Sequence, residues 1–171
     1  MTSRRDFLAS AACWVPLTGL AQTPSLAVPR GTVLLEVDGA IQEQNASRKV
    51  QFDLAMLDAL PQTRFVTTTI WTEGALSFSG PTLMSVLEFV GAAAGPITAR
   101  AANDYYITLA SGTVDQNYPI LATRKNDLPF TLRDSGPIWL AYPYDSDQKY
   151  RNNLIYSQSI WYLVQLHVGV A

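Results

Sequence analysis

The sequence predicts an α+β fold: a single domain built on a mixed or barrel-like β-sheet with two or more short helices. Three observations lead there. The chain of 171 residues, 48% hydrophobic and 15% charged, is long enough for one real core and too short for two comfortable ones. Its second half is a succession of short runs rich in β-branched and aromatic residues, separated by turn residues. Helical periodicity is confined to short stretches in the first half.

Taken in order, Thr32 to Val37 is β-rich and runs into Asp38-Gly39, a strong hairpin signal, so a second short strand is expected at Ala40 to Gln42. Asp53 is placed to cap a short helix whose Leu54, Leu57 and Leu60 share one stripe and which Pro61 ends. Phe65 to Trp71 reads as a strand leading into a loop at Thr72-Glu73-Gly74. Ser79-Gly80-Pro81 supplies a helix start, with proline in the first turn. Leu83, Val86, Leu87 and Val90 then recur at helical spacing until Gly91. Strands are expected next at Ile97 to Ala101, Tyr105 to Leu109, Ile120 to Thr123, Ile138 to Tyr142 and Ile160 to Val168. In the last, Ile160, Tyr162, Val164, Leu166 and Val168 face one way and Trp161, Leu163, Gln165 and His167 the other.

Residues 1 to 27 read as an export signal ahead of a domain spanning 28 to 171. Arg4 and Arg5 form its charged region, Phe7 to Leu20 its apolar region, and small residues close it at Gly19-Leu20-Ala21 or Ser25-Leu26-Ala27. Ser3-Arg4-Arg5-Asp6-Phe7-Leu8 resembles the bacterial twin-arginine signal, which carries proteins across the membrane already folded; an ordinary secretory signal is the alternative. Both place the protein in the periplasm. Cys13, the single cysteine, lies inside this segment, so cleavage would leave a mature chain with no thiol for disulfides, iron-sulfur clusters or thiolate-bound zinc. Acylation of Cys13 would call for an apolar residue where Ser10 stands.

The composition excludes several function classes. Removing Arg4, Arg5 and Asp6 takes the formal charge from -2 to -3, without the basic stripe that nucleic acid requires. The one histidine, His167, has no Gly-x-Ser-x-Gly elbow to serve and cannot build a multi-histidine metal site. Tyr144-Asp145-Ser146-Asp147 reads as a solvated turn, since an EF-hand's further ligands and glycine are missing. What the chain offers is aromatic rings and arginines beside short polar loops. Thr67 to Gly74 sets an indole next to a row of hydroxyls, a seat for a flat polar ligand.

The run Thr67-Thr68-Thr69-Ile70-Trp71 is followed by Phe78-x-Gly80-x-x-Leu83-x-x-Val86-Leu87, Asn103-Asp104-Tyr105 and Leu121-Ala122-x-Arg124. Arg133-Asp134-Ser135-Gly136-Pro137-Ile138-Trp139, Tyr142-Pro143-Tyr144-Asp145 and Ser159-Ile160-Trp161 complete the series. Together they resemble the oxidoreductase molybdopterin-binding domain, the sulfite-oxidase fold, and within it a small periplasmic branch in which the domain stands alone. The resemblance implies a pterin held in a cleft between loops. It also implies a molybdenum-ligating cysteine near the end of the strand at Thr67 to Trp71, and none is there. A threonine hydroxyl stays protonated near neutral pH and does not replace a soft thiolate.

Pterin recognition therefore becomes the leading expectation, with free pterin favoured over the molybdenum cofactor. Trp71 offers a ring to stack on, and Thr68 and Thr69 give or take hydrogen bonds. Arg124 and Arg133 are candidate donors, Asp104 or Asp145 candidate acceptors for the amino edge, and Tyr105 a further lining ring. The branch implies a protein partner, the periplasmic domain of a membrane-bound cyclic-di-GMP enzyme. A molybdopterin-dependent oxidoreductase and an interaction subunit with an empty cleft are the alternatives. Trp71 plugging the sheet and Arg133-Asp134 forming a surface ion pair are the plainer readings of those side chains.

Overall fold

Buried residues alternate with partly exposed ones at Leu35 and Val37 and again at Val50 and Phe52, which gives two short strands a core face each. The computed structural model describes residues 26–110, 113–131, 133 and 135–170. The export signal expected at 1 to 27, with Cys13, lies almost wholly outside the described residues. Among the described residues no helix is long and apolar enough to cross a membrane.

The strands are β1 (Leu35–Gly39), β2 (Lys49–Phe52), β3 (Gln62–Thr67), β4 (Leu76–Pro81), β5 (Ile97–Ala101), β6 (Tyr106–Thr108), β7 (Ile120–Ala122), β8 (Arg124–Lys125), β9 (Leu128–Pro129), β10 (Trp139–Ala141) and β11 (Leu163–Val168). The helices are α1 (Leu54–Asp58), α2 (Leu83–Phe89) and α3 (Asn153–Gln158). One sheet has the order β2-β1-β11-β5-β6, with β1 and β11 parallel and the other neighbours antiparallel. A second has the order β3-β4-β8-β9, and β7 pairs with β10 alone. The architecture is thus α+β with a mixed sheet. The barrel-like alternative does not hold, because none of these sheets closes.

The largest core cluster joins the inner face of the mixed sheet, at Leu35, Val37, Leu163 and Leu166, to Leu83, Val86, Leu87 and Val90 on and just after α2. That is the stripe the helical spacing predicts. Asp53 caps α1 as expected, accepting from Met56 N–H at 2.9 Å. Its other oxygen accepts from Arg30 and Gly31 N–H, both at 2.8 Å, and ties the entering chain to the helix. These bonds, Gly31 foremost, hold its carboxyl below the ordinary value.

Several boundaries differ from expectation for identifiable reasons. Asp38-Gly39 does not turn a tight hairpin, and Ala40 to Gln42 is not a strand; the chain runs on through Arg48 before β2. Gly39 has φ +93 and faces the Val168 carbonyl, whose oxygen a Cβ there would approach to 2.1 Å. The strand expected through Trp71 stops at Thr67, where its pairing with β4 ends. Ser79-Gly80-Pro81 belongs to β4, and Thr82 is the residue that caps α2. β11 starts at Leu163 and carries an irregularity between Leu163 and Gln165, which turns Leu163 inward with Leu166 and Val168. α3 replaces a loop, started by Asn152 accepting from Ile155 N–H at 3.0 Å.

Gly80 is where β4 and β7 touch most closely: a Cβ there would lie 2.0 Å from the Leu121 carbonyl oxygen. Backbone on both sides leaves no flexible atom to yield. Gly80→Ala is expected to destabilise the protein by at least about 2 kcal/mol, read as a lowered urea midpoint with unchanged slope.

Candidate functional site

β3 ends at Thr67, and its ladder to β4 resumes only at Leu76, so the segment between them has no strand to hold it. One carboxylate fixes its start. Asp145 accepts from Thr68 N–H at 2.6 Å and from Thr68 Oγ1 at 2.9 Å, and its own N–H donates to Thr67 Oγ1 at 3.0 Å. Arg151 braces this joint, donating through Nη2 to Asp145 and through Nε to the Tyr144 carbonyl at 2.9 Å. Thr69 Oγ1 then accepts from Trp71 N–H at 3.1 Å and pairs with Thr72 Oγ1 at 2.7 Å, folding the loop on itself.

This loop delivers Trp71, half-buried, into edge-on contact with three rings. The centroid distances are 5.3 Å to Trp161, 5.9 Å to Tyr156 and 6.0 Å to Tyr144, at interplanar angles of 85°, 89° and 71°. Burial pushes the Tyr144 hydroxyl up to about 12, although its bond to Ser159 Oγ at 2.7 Å partly offsets this. Trp71 and Trp161 line a cleft of about 330 Å³ with Asn103, Tyr105, Tyr156 and Ser159. They also line an adjoining cleft of about 410 Å³ with Lys125, Arg133, Ser135 and Trp139. Among the described residues the first has no charged side chain in its lining and the second has two cationic ones.

Of the residues expected to bind ligand, Trp71 and Tyr105 meet in the first cleft and Arg133 joins Trp71 in the second. Thr68 and Asp145 bind each other instead, and Asp145 lines a separate surface recess with Arg151. Thr69 is engaged within its own loop. Asp104 pairs with Arg100 on an exposed turn. Arg124 forms a two-pronged pair with Asp58 at 2.5 and 2.6 Å, beside a groove of about 660 Å³ that shares no lining residue with the Trp71 clefts. Asn103, Tyr156 and Ser159 escaped the sequence-based selection. Asn103 and Ser159 stand in the runs that carry the resemblance, and α3, which brings Tyr156, has no strong periodic pattern.

The donor chemistry does not fit molybdenum. No cysteine stands among the described residues, and no group of three or more His, Cys, Asp or Glu there is placed to hold a metal. Thr67, at the strand end, is 1% exposed, and its Oγ1 donates to the Thr68 carbonyl at 3.1 Å and accepts from Asp145 N–H. An aromatic cleft with unengaged hydrogen-bonding groups does fit a flat heterocycle.

Comparison with protein-family models and with curated sequences finds no match. Among solved structures the chain is similar to the sulfane dehydrogenase SoxCD from Paracoccus pantotrophus, with a TM-score of 0.59 and 13% identity. The match covers 85% of this chain and 40% of that one, so the chain spans well under half of its neighbour's length. This likeness shows a shared fold.

Thr68 N–H, Arg151 and Thr68 Oγ1 hold the Asp145 carboxyl down to about 2, from an ordinary value of 3.8. The joint therefore contributes fully above the unfolded value and is lost only as pH falls through about 2. The Thr68 amide resonance is expected to hold steady from pH 7 to pH 4 and to titrate near pH 2. Asp145→Asn removes that titration.

Proposed function

We propose that this chain is a periplasmic, non-catalytic pterin-binding protein. It reaches the periplasm by twin-arginine export and reports its ligand state to a membrane-bound partner such as a cyclic-di-GMP enzyme. One observation carries the binding half of this reading: the strand end where the resemblance implies a metal-ligating thiolate is a closed hydrogen-bonded joint, and beside it opens an aromatic cleft around Trp71. Removing the metal ligand while keeping the ring-lined cleft preserves recognition of the organic part of the cofactor and discards its redox chemistry.

The cleft's size supports a small ligand. At about 330 Å³ it stands at the lower end of the roughly 300 to 1,000 Å³ typical of small-molecule sites, suited to one bicyclic ring. Trp71, Tyr105, Tyr156 and Trp161 would bury the ring faces. The adjoining cleft with Lys125 and Arg133 would receive substituents or remain open to a protein partner. The partner and the export route rest on the resemblance and the signal-like N-terminus alone.

The rival is a molybdopterin-dependent oxidoreductase, which the likeness to a dehydrogenase favours. It predicts stoichiometric molybdenum in protein produced in a competent host. An interaction subunit with an empty cleft predicts that cleft substitutions leave partner binding untouched.

Mass spectrometry of small molecules released from natively purified protein is expected to find a pterin without molybdenum. Trp71→Ala should weaken pterin binding between about 5- and 100-fold, the range for losing one stacked aromatic, and Trp71→Phe should recover much of it. Failure to bind reduced or oxidised pterins at high micromolar concentration, with no pterin in the native extract, would sink the proposal.

A further inference from the structure

The 330 Å³ cleft holds an uneven set of hydrogen-bonding groups. Its serines have already used their hydrogens: Ser157 Oγ donates to the Leu154 carbonyl at 2.7 Å and Ser159 Oγ to the Ile155 carbonyl at 2.8 Å. Tyr105 and Tyr156 keep theirs, having no hydroxyl partner among the described residues. These hydroxyls rotate and can accept as readily as donate, so they do not distinguish an oxo group from an amino group. Asn103 is different. Its Oδ1 accepts from Tyr105 N–H at 3.2 Å, which only an amide oxygen can do, and this fixes the orientation of the amide. The amide's other end, Nδ2, is an obligate donor with no acceptor among the described residues, carried by a residue that lines the cleft. Among the described residues no carboxylate lines the cleft to receive an amino group or a protonated ring.

We infer that Asn103 is the donor that reads the oxo edge of the bound ring, so that the cleft selects 4-oxopteridines over 2,4-diaminopteridines. This rests on the pterin reading above and narrows it to a ligand class. The two rings have the same shape; at position 4 one carries an oxo acceptor and the other an amino donor, and the adjoining N3 changes from an N–H donor to an acceptor with it. The diamino ring is also the more basic, and its protonated form calls for a carboxylate that the cleft lacks. Pairing Nδ2 with an amino group sets donor against donor and leaves both without a partner. Asn103 sits in the turn between β5 and β6, where Asp104 has φ +64 and donates its N–H to the Ala101 carbonyl at 3.1 Å. The anchored amide is therefore carried by the edge of the mixed sheet rather than by the Trp71 loop.

The test compares unsubstituted pterin with 2,4-diaminopteridine by calorimetry or quenching of tryptophan fluorescence, at neutral pH. Wild-type protein should bind pterin roughly tenfold more tightly, the worth of one hydrogen bond against one mismatch. Asn103→Asp keeps an oxygen for Tyr105 N–H, replaces the donor with an acceptor, and should reverse the preference. Asn103→Ala should bring the ratio near one, with folding of both variants checked by circular dichroism. Equal wild-type affinities, a wild-type preference for the diamino ring, or variants that keep the wild-type ratio would overturn this inference and leave pterin binding standing. Binding of neither ring by the wild type would remove the pterin reading and this inference with it.

Discussion

The clefts depend on a closed circuit of aromatic contacts. Phe78 meets Trp139 at 5.7 Å, Trp139 meets Trp161 at 5.6 Å, and Trp161 meets Trp71 at 5.3 Å. From Trp71 the circuit passes to Tyr144, Tyr142, Tyr150, Tyr118 and Phe65, and returns to Phe78 at 6.0 Å. Of the strands it borders, β3 and β4 pair over six residues, but β8 and β9 have two residues each and β7 and β10 three. The short ladders have few hydrogen bonds, so ring packing adds to what they hold. Each ring pair contributes on the order of 1 kcal/mol beyond its area, and shared rings make those contributions non-additive. Trp71 thereby has two roles, since the ring that lines the ligand cleft also closes the circuit.

Ion pairs occupy several of the chain's carboxylates. Asp58, Asp104, Asp127 and Asp145 each pair with an arginine elsewhere, at Arg124, Arg100, Arg64 and Arg151. Exposed pairs of this kind contribute little to stability. Of the residues expected to accept from a ligand's amino edge, Asp104 and Asp145 are both held in such pairs. Among the described residues Arg133 has no such partner, and it lines the second cleft. The two clefts thus offer unlike surroundings on a shared pair of indoles, one uncharged and one cationic.

Much of this architecture was legible where local chemistry and tertiary packing agree. β5 keeps its expected limits because a β-rich run is followed by a true turn, and α2 keeps its apolar stripe because the same residues face the core. The failures lie where a distant backbone decides. Gly39 and Gly80 look like turn and helix-start residues, yet each is required by the close approach of another strand, at Val168 and at Leu121. The expected alternation of β11 breaks at an irregularity that no period-two pattern announces. At the site, Trp71 was legible as a ring beside polar loops. The acceptor role expected of Asp145 was not, because its partner Thr68 stands 77 residues away and only the fold brings them together.

That pairing also shows what the Thr67 hydroxyl does at the strand end. Thr67 Oγ1 receives the Asp145 N–H and returns its hydrogen to the Thr68 carbonyl, while the Asp145 carboxylate holds Thr68 from the other side. A thiolate at Thr67 would lose the hydroxyl hydrogen that the Thr68 carbonyl receives and would set a second negative charge near a carboxylate already held down to about 2. The loop carrying Trp71 would lose part of its anchor. The hydrogen bonds that start this loop and a thiolate at the strand end therefore compete for one position, and Thr67 serves the first.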